Sequence, residues 1–250
     1  MRIAVALALA VALGACASET ADVPAAVAPS TSTTRAPSTS TTTNTNNSTT
    51  TTTTAPPALL QYVFLSEGAT NAAGVWALEA RLDELGYWPG AVDAVFDGQT
   101  SHAVTALQKV AGIERSGRVD LATEWALQAG LLPPVRTATG HVVEIDLELQ
   151  VMTIATDGRI DQVLDVSTGK RATRTPRGSY GIGRQIDGYR RSRLGLLYRP
   201  KYFVGGFAIH GYPSVPTYPA SHGCVRVTYP AMDHLWSSNL VPVGTPVVVI

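Results

Sequence analysis

Residues 210–224 read HGYPSVPTYPASHGC, a stretch that opens on a histidine and carries a second histidine two residues before its only cysteine, Cys224. The chain of 250 residues has one other cysteine, Cys16, near its start. A lone cysteine is usually a small buried hydrophobe. Gly223 directly before Cys224 and the polar residues around it argue against a plain core position. A cysteine nucleophile needs a base to generate its thiolate and donors for the developing oxyanion. Cys224 begins a strand-like run just after Ser221, His222 and Gly223, so the N–H groups of His222, Gly223 and Cys224 are expected to converge there. Gly223 permits the unusual backbone such a turn requires. His210 closes the apolar run FAIH, which places it on a strand beside the thiol. Gly211 lets the chain turn and leaves its carbonyl to accept from the imidazole. That bond would fix the tautomer, as an aspartate does in a serine protease triad. Two histidines and a cysteine also invite a metal ion. A third strong ligand at suitable spacing is missing, and His222 and Cys224 stand only two apart, so no metal or other cofactor is expected.

Outward from this stretch, residues 139–250 carry a period of two. Val143, Ile145 and Leu147 alternate with Val142, Glu144 and Asp146, which predicts a half-buried strand. Residues 151–156 form a second run, and Asp157-Gly158 signals a hairpin into the alternating residues 159–166. Residues 202–209, 224–227 and 246–250 read as further strands. One short helix is predicted after Thr228, with Pro230 tolerated in its first turn. Many strands and one helix imply a mostly β sandwich or rolled sheet.

Before it, residues 68–134 show helical periodicity in three pieces. Val75, Leu78, Leu82 and Leu85 share a face that Gly86 ends. Ala103, Val104, Leu107 and Val110 share another, with Thr100 or Ser101 as cap and Gly112 as stop. After Asp120, the residues Leu121, Trp125 and Ala129 form the third stripe. Three short helices of about 65 residues make a bundle near the lower limit for a self-supporting core. The fold class is therefore α+β and multidomain: a small three-helix bundle, then a mostly β domain with a short helix.

Residues 1–15, MRIAVALALAVALGA, hold one arginine and an apolar run too short to cross a bilayer, as in the h-region of an export signal. Leu13-Gly14-Ala15-Cys16 resembles the bacterial lipobox, in which the cysteine is lipidated and becomes the first mature residue. An ordinary signal cut near Ala17, or a short anchor, is the alternative. If Cys16 is acylated, Cys224 lacks a partner for an intramolecular disulfide, and an odd thiol in an exported protein points to reactivity. Residues 16–58 are dominated by Thr, Ser, Pro, Ala and Asn, a composition expected to stay disordered as a tether. Extended at about 3.1 Å per residue, it would reach on the order of 100 Å. The formal net charge is zero, which gives no sign of nucleic-acid binding.

The stretch FAIHGYPSVPTYPASHGCVRV resembles the signature of the L,D-transpeptidase (YkuD-like) catalytic domain, in which His-Gly is followed at a variable distance by Ser-His-Gly-Cys, a hydrophobic residue and Arg. Val166 to Lys170, Thr175 to Tyr180 and Val241 to Val247 extend the likeness across the domain. The resemblance implies Cys224 as nucleophile, His210 as proton acceptor and donor, and the Gly211 carbonyl as its orienting group. His222 and Ser221 would shape the pocket, with the turn through Gly223 binding the oxyanion. Arg226 would support the site or meet a substrate carboxylate, a plain structural salt bridge being the alternative. Residues 198–202, with Arg199 and Lys201, are placed along the substrate groove.

The helical region resembles the peptidoglycan-binding three-helix module, on Leu85-Gly86-Tyr87, Asp93 through Phe96 to Thr100, Ala103-Val104, Leu107-Gln108 and Thr123 to Leu127. It departs from that pattern at Ala94, Asp97 and Asp120, where glycines are usual, so its turns are expected to be reshaped. The module would bind the wall, or only space or buttress its neighbour. Together these likenesses imply an exported, lipid-anchored enzyme at the outer face of the cytoplasmic membrane and the cell wall that forms 3→3 peptidoglycan crosslinks through a cysteine thioester. Its partners would be stem peptides and glycan, with carbapenem-type β-lactams as inhibitors. Hydrolysis by an L,D-carboxypeptidase and a non-catalytic wall-binding lipoprotein are the alternatives.

Overall fold

The computed structural model describes residue 62 and residues 64–250. The export signal, the lipidation site Cys16 and the tether lie outside the described residues. Three helices come first, α1 (Ala72–Glu84), α2 (Gly98–Ala111) and α3 (Leu121–Gln128). The strands β1 (His141–Asp146), β2 (Val151–Thr156), β3 (Arg159–Asp165), β4 (Gly178–Gly181) and β5 (Arg184–Gln185) follow. Next are β6 (Tyr189–Ser192), β7 (Gly195–Val204), β8 (Phe207–Gly211), β9 (Val225–Val227), helix α4 (Tyr229–Ser237) and β10 (Pro246–Val249). No described helix is long and apolar enough to cross a membrane.

Each helix of the bundle begins on a side-chain oxygen. Asn71 caps α1, Asp120 caps α3, and Asp97 caps α2 by accepting from the N–H groups of Gln99 and Thr100 at 2.7 and 2.9 Å. The cap of α2 is thus Asp97, not Thr100 or Ser101. Thr100 sits in the first turn and donates instead to the buried Glu79 carboxylate at 3.0 Å. The same carboxylate accepts from the N–H groups of Asp93 and Ala94 at 3.0 and 2.9 Å. It thereby holds Ala94 at φ 69°, a left-handed backbone that favours glycine. Two of the three departures from the glycine pattern are therefore helix caps, and the third is a left-handed alanine pinned by Glu79.

The third helix faces the other way from its apolar stripe. Thr123, Glu124, Ala126 and Leu127 are buried, whereas Leu121 and Trp125 stand about half exposed. Small Thr and Ala side chains let α3 approach its neighbours closely, and bulk alone misleads about which face turns inward. Nor does the bundle keep its core to itself. Val151 of β2 and Val163 of β3 belong to the same apolar cluster as Leu78, Leu82, Leu107 and Leu127. Main-chain bonds join the two parts, Val163 N–H to Gly86 O at 2.7 Å and Trp88 N–H to Val163 O at 3.2 Å. At their junction Lys109 of α2 is fully buried. It pairs with the Asp165 carboxylate and donates to the carbonyls of Gln150 and Val166, each at 2.9 Å. His102 Nδ1 reaches the other Asp165 oxygen at 2.6 Å.

Two five-stranded sheets build the rest. The first runs β3-β2-β1-β10-β4, with β10 parallel to β1. The second runs β5-β7-β8-β9, with β6 also paired to β7. Val143, Ile145, Ile154 and Val247 from the first sheet pack against Phe203, Ile209, Val225 and Val227 from the second, with Met232 and Leu235 of α4. The hairpin at Asp157-Gly158 has φ of 50° and 76°, the two positive values that a tight turn between twisted strands requires. Thr228 caps α4.

Two strand expectations change. β1 is buried on both faces, because the segment before it crosses its outer side and gives the Glu144 carboxylate the N–H groups of Arg136 and Thr137. Residues 202–209 are not one strand but a hairpin, turned at Gly205 and Gly206 between β7 and β8. The fold class is otherwise as expected, a helical part followed by a mostly β domain with one short helix.

Candidate active site

β8 and β9 lie parallel and side by side, with His210 opposite Arg226. The pairing brings the two ends of the 210–224 stretch together and leaves the Pro- and Tyr-rich middle as a loop. His210 is buried, and its Nδ1 lies 2.9 Å from the carbonyl of Gly211. A carbonyl only accepts, so Nδ1 carries the proton and Nε2 presents a lone pair. Burial pulls the His210 imidazole down to about 4, against the raising effect of the Gly211 bond. Burial also pushes the Cys224 thiol up, against the lowering effects of the Ala208 N–H and of Arg226. At neutral pH the pair rests as thiol and imidazole, not as an ion pair.

The turn before the thiol is fastened on every side. Ser221 Oγ donates to the Cys224 carbonyl at 2.5 Å and accepts from the Gly223 N–H at 3.0 Å. That second bond is a correction: the Gly223 N–H is engaged within the turn and does not point at an oxyanion. Ser221 N–H donates to Thr168 O, Lys170 N–H to Ser221 O, and Thr175 Oγ1 to Gly223 O, all within 2.9–3.0 Å. Thr168 and Thr175 are thus site-holding residues that no individual reading singled out; their only signal was membership in the Val166–Lys170 and Thr175–Tyr180 stretches. Gly223 has φ 113°, and a Cβ there would meet the Phe207 ring at 2.2 Å. Gly211 is needed for space, since its Cβ would meet Tyr198 and Tyr229 at 2.8 and 2.9 Å.

Cys224, His210, His222, Ser221 and Arg226 line one cavity of about 330 Å³. Gly211 stands behind it and acts through its carbonyl. His222 is exposed at the rim. Arg226 makes no ion pair among the described residues; its guanidinium lies 4.0 Å over the Tyr212 ring. The opposite wall is the β6–β7 hairpin, from Arg190 to Leu197, which the sequence did not announce. Of residues 198–202 only Tyr202 reaches the cavity. A bulge interrupts β7 between Tyr198 and Lys201, and Arg199 and Lys201 both lie over the Trp236 ring, away from the cavity. Arg199 pairs there with Asp187 and Asp233, and Lys201 donates to Gln185. No group of three His, Cys, Asp or Glu side chains converges among the described residues.

Two packed sheets that carry a cysteine and a carbonyl-oriented histidine in one cavity make a thiol–imidazole site on a mixed β frame. A family profile described as the L,D-transpeptidase (YkuD) catalytic domain matches residues 140–249, and a peptidoglycan-binding domain profile matches residues 71–127. An L,D-transpeptidase structure from Xylanimonas cellulosilytica is 42% identical, spans 78% of this chain and 100% of its own, and superposes with a TM-score of 0.72. One from Stackebrandtia nassauensis is 23% identical over 70% of this chain and 89% of its own, with a TM-score of 0.46. A third, from Mycobacterium tuberculosis, is 22% identical over 44% and 57%, with a TM-score of 0.40. None of the curated proteins matches. The chain belongs to the L,D-transpeptidase family, with a peptidoglycan-binding-type helical region upstream of its catalytic domain.

Proposed function

We propose that the chain forms 3→3 crosslinks in peptidoglycan by way of a Cys224 thioester. The observation that carries this reading is the single cavity holding Cys224 beside His210, whose free lone pair is fixed by the Gly211 carbonyl. Nε2 of His210 takes the thiol proton as sulfur adds to the carbonyl after the third residue of a tetrapeptide stem. The N–H groups of His222 and Cys224 are the donors we assign to the tetrahedral oxygen. Collapse breaks the C–N bond, and the imidazolium returns the proton to the departing D-alanine amine. An amine from a neighbouring stem then attacks the thioester, which restores the thiol and leaves the new amide. Carbapenem-type β-lactams would acylate Cys224 through the same first step. Lipidation at Cys16, the tether and wall binding by the helical region would together raise the enzyme's local concentration at its substrate.

The test is one incubation of the enzyme with a tetrapeptide muropeptide. Crosslinked dimers and free D-alanine are expected. Tripeptide alone would make it a carboxypeptidase, and no product together with no carbapenem adduct would make it a non-catalytic wall protein.

The proton accounting also fixes a pH profile. Because the base must be neutral imidazole, kcat/KM falls as pH drops through the His210 value of about 4, not through the 6.5 of an ordinary histidine. An acid limb centred near 6.5 would remove His210 from the role of buried base.

A further inference from the structure

Five guanidinium groups, of Arg184, Arg190, Arg191, Arg193 and Arg226, line the Cys224 cavity, and no carboxylate does. None of the five takes part in an ion pair among the described residues. This concentration is local, since the whole chain has a formal net charge of zero. Two of the five sit over aromatic rings, Arg184 over Tyr202 at 4.1 Å and Arg226 over Tyr212 at 4.0 Å. A cation held over a ring in this way keeps its position without a counter-charge. The other three stand on β6 and the turn into β7, exposed to solvent on the opposite wall. Leu194, Leu196 and Leu197 lie among them. Apolar walls between like charges strengthen the field inside a cavity and draw in anions.

A crowd of cations without counter-charge is unfavourable on its own and is relieved by an anionic ligand. On the functional reading above, on which this inference rests, the donor peptide brings one obligatory carboxylate, at its C-terminal D-alanine. One bidentate arginine suffices for one carboxylate. Five, lining one cavity, are matched to a ligand with several. We propose that this cavity selects donor stems whose second and third residues carry free carboxylates, and discriminates against stems in which those groups are primary amides. An amide keeps the shape but loses the charge and half of the acceptor capacity, so it leaves guanidinium groups unpaired.

The experiment uses two matched tetrapeptides ending in D-alanine, one with free carboxylates at residues two and three, the other with both as amides. Binding to the full chain bearing Cys224→Ala is measured by calorimetry, which needs no turnover. The free-acid peptide is expected to bind about tenfold or more tightly, an advantage that shrinks with added salt. The further changes Arg191→Gln and Arg193→Gln should weaken the acid peptide and leave the amide peptide nearly unaffected. Equal binding of the two peptides, or full discrimination in the arginine variant, overturns the proposal. Turnover of the same peptides by the unaltered enzyme is read separately. If the acid peptide binds selectively but is never converted, the functional reading fails and the selectivity stands. If both are converted with the same KM, the selectivity fails and the functional reading stands.

Discussion

Replacing Cys224 with alanine is expected to reduce crosslinking by roughly a thousandfold or more while leaving the fold intact. The two halves of that expectation rest on different features. The sulfur is half-buried, and its hydrogen-bond contacts are the weak ones of a thiol, a long 4.0 Å reach to the Gly206 carbonyl and the Ala208 N–H, so its removal breaks no strong interaction. Thermal stability should therefore shift by no more than about 1 kcal/mol. Chemistry, by contrast, has no reserve. The hydroxyl of Ser221, in the turn that leads to Cys224, is committed to the Cys224 carbonyl and the Gly223 N–H. Cys224→Ser should be as inactive, because an imidazole drawn down to about 4 is too weak a base for an alcohol. Dimer formation from muropeptides, followed beside a melting curve, checks both halves. Crosslinking retained by the alanine variant would sink the assignment of the nucleophile.

The second large effect lies at the junction of helices and sheet. Lys109→Met should destabilise the chain by about 3 kcal/mol, because it strands a buried carboxylate. Burial pulls the Lys109 amine down while Asp165 holds it up. In the variant the Asp165 carboxylate keeps His102, the Val166 carbonyl loses the ammonium donor, and the Gln150 carbonyl retains the Val166 N–H at 3.2 Å. The loss should reach the active site as well. Val166 precedes Ser167, whose N–H and carbonyl both pair with the main chain of Arg226, at 3.1 and 3.0 Å. A combined Lys109→Met and Asp165→Leu variant should regain most of the stability, since it removes the charge as well as its partner. Denaturant midpoints of the three chains measure this, and an unchanged midpoint for Lys109→Met alone would refute it.

How much of this was legible in the sequence varies with range. That Cys224 and His210 share one cavity could be expected from the sequence, because the signs are local, a glycine before the thiol and another after the imidazole. The strands β1 to β3 could be read because alternation and the Asp157-Gly158 turn are local too. Lys109 could not. A lysine near the end of an amphipathic helix reads as a solvated residue, and its partner Asp165 stands 56 positions later. The β6–β7 wall was hidden for a related reason. Arg-Arg-Ser-Arg-Leu-Gly-Leu-Leu has no periodicity of its own, and only pairing of Tyr189 with Tyr198 and of Arg190 with Leu197 makes it a hairpin. Along α3, Trp125 and Leu121 outweighed Thr123 and Ala126 in bulk, although close approach favours the smaller face.

The position of β10 has a consequence for the order in which the molecule is made. It lies inside the first sheet, between β1 and the edge strand β4, and pairs Val143 with Val247 although, among the described residues, β1 is the first strand and β10 the last. During vectorial synthesis β1, β2 and β3 emerge early and can pair as hairpins, yet the inner edge of β1 stays open until residues 246–249 appear. A pairing of such high sequence separation forms late and slowly. The first sheet cannot be completed before then. A truncated chain lacking β10 would leave the facing edges of β1 and β4 unpaired and prone to aggregation.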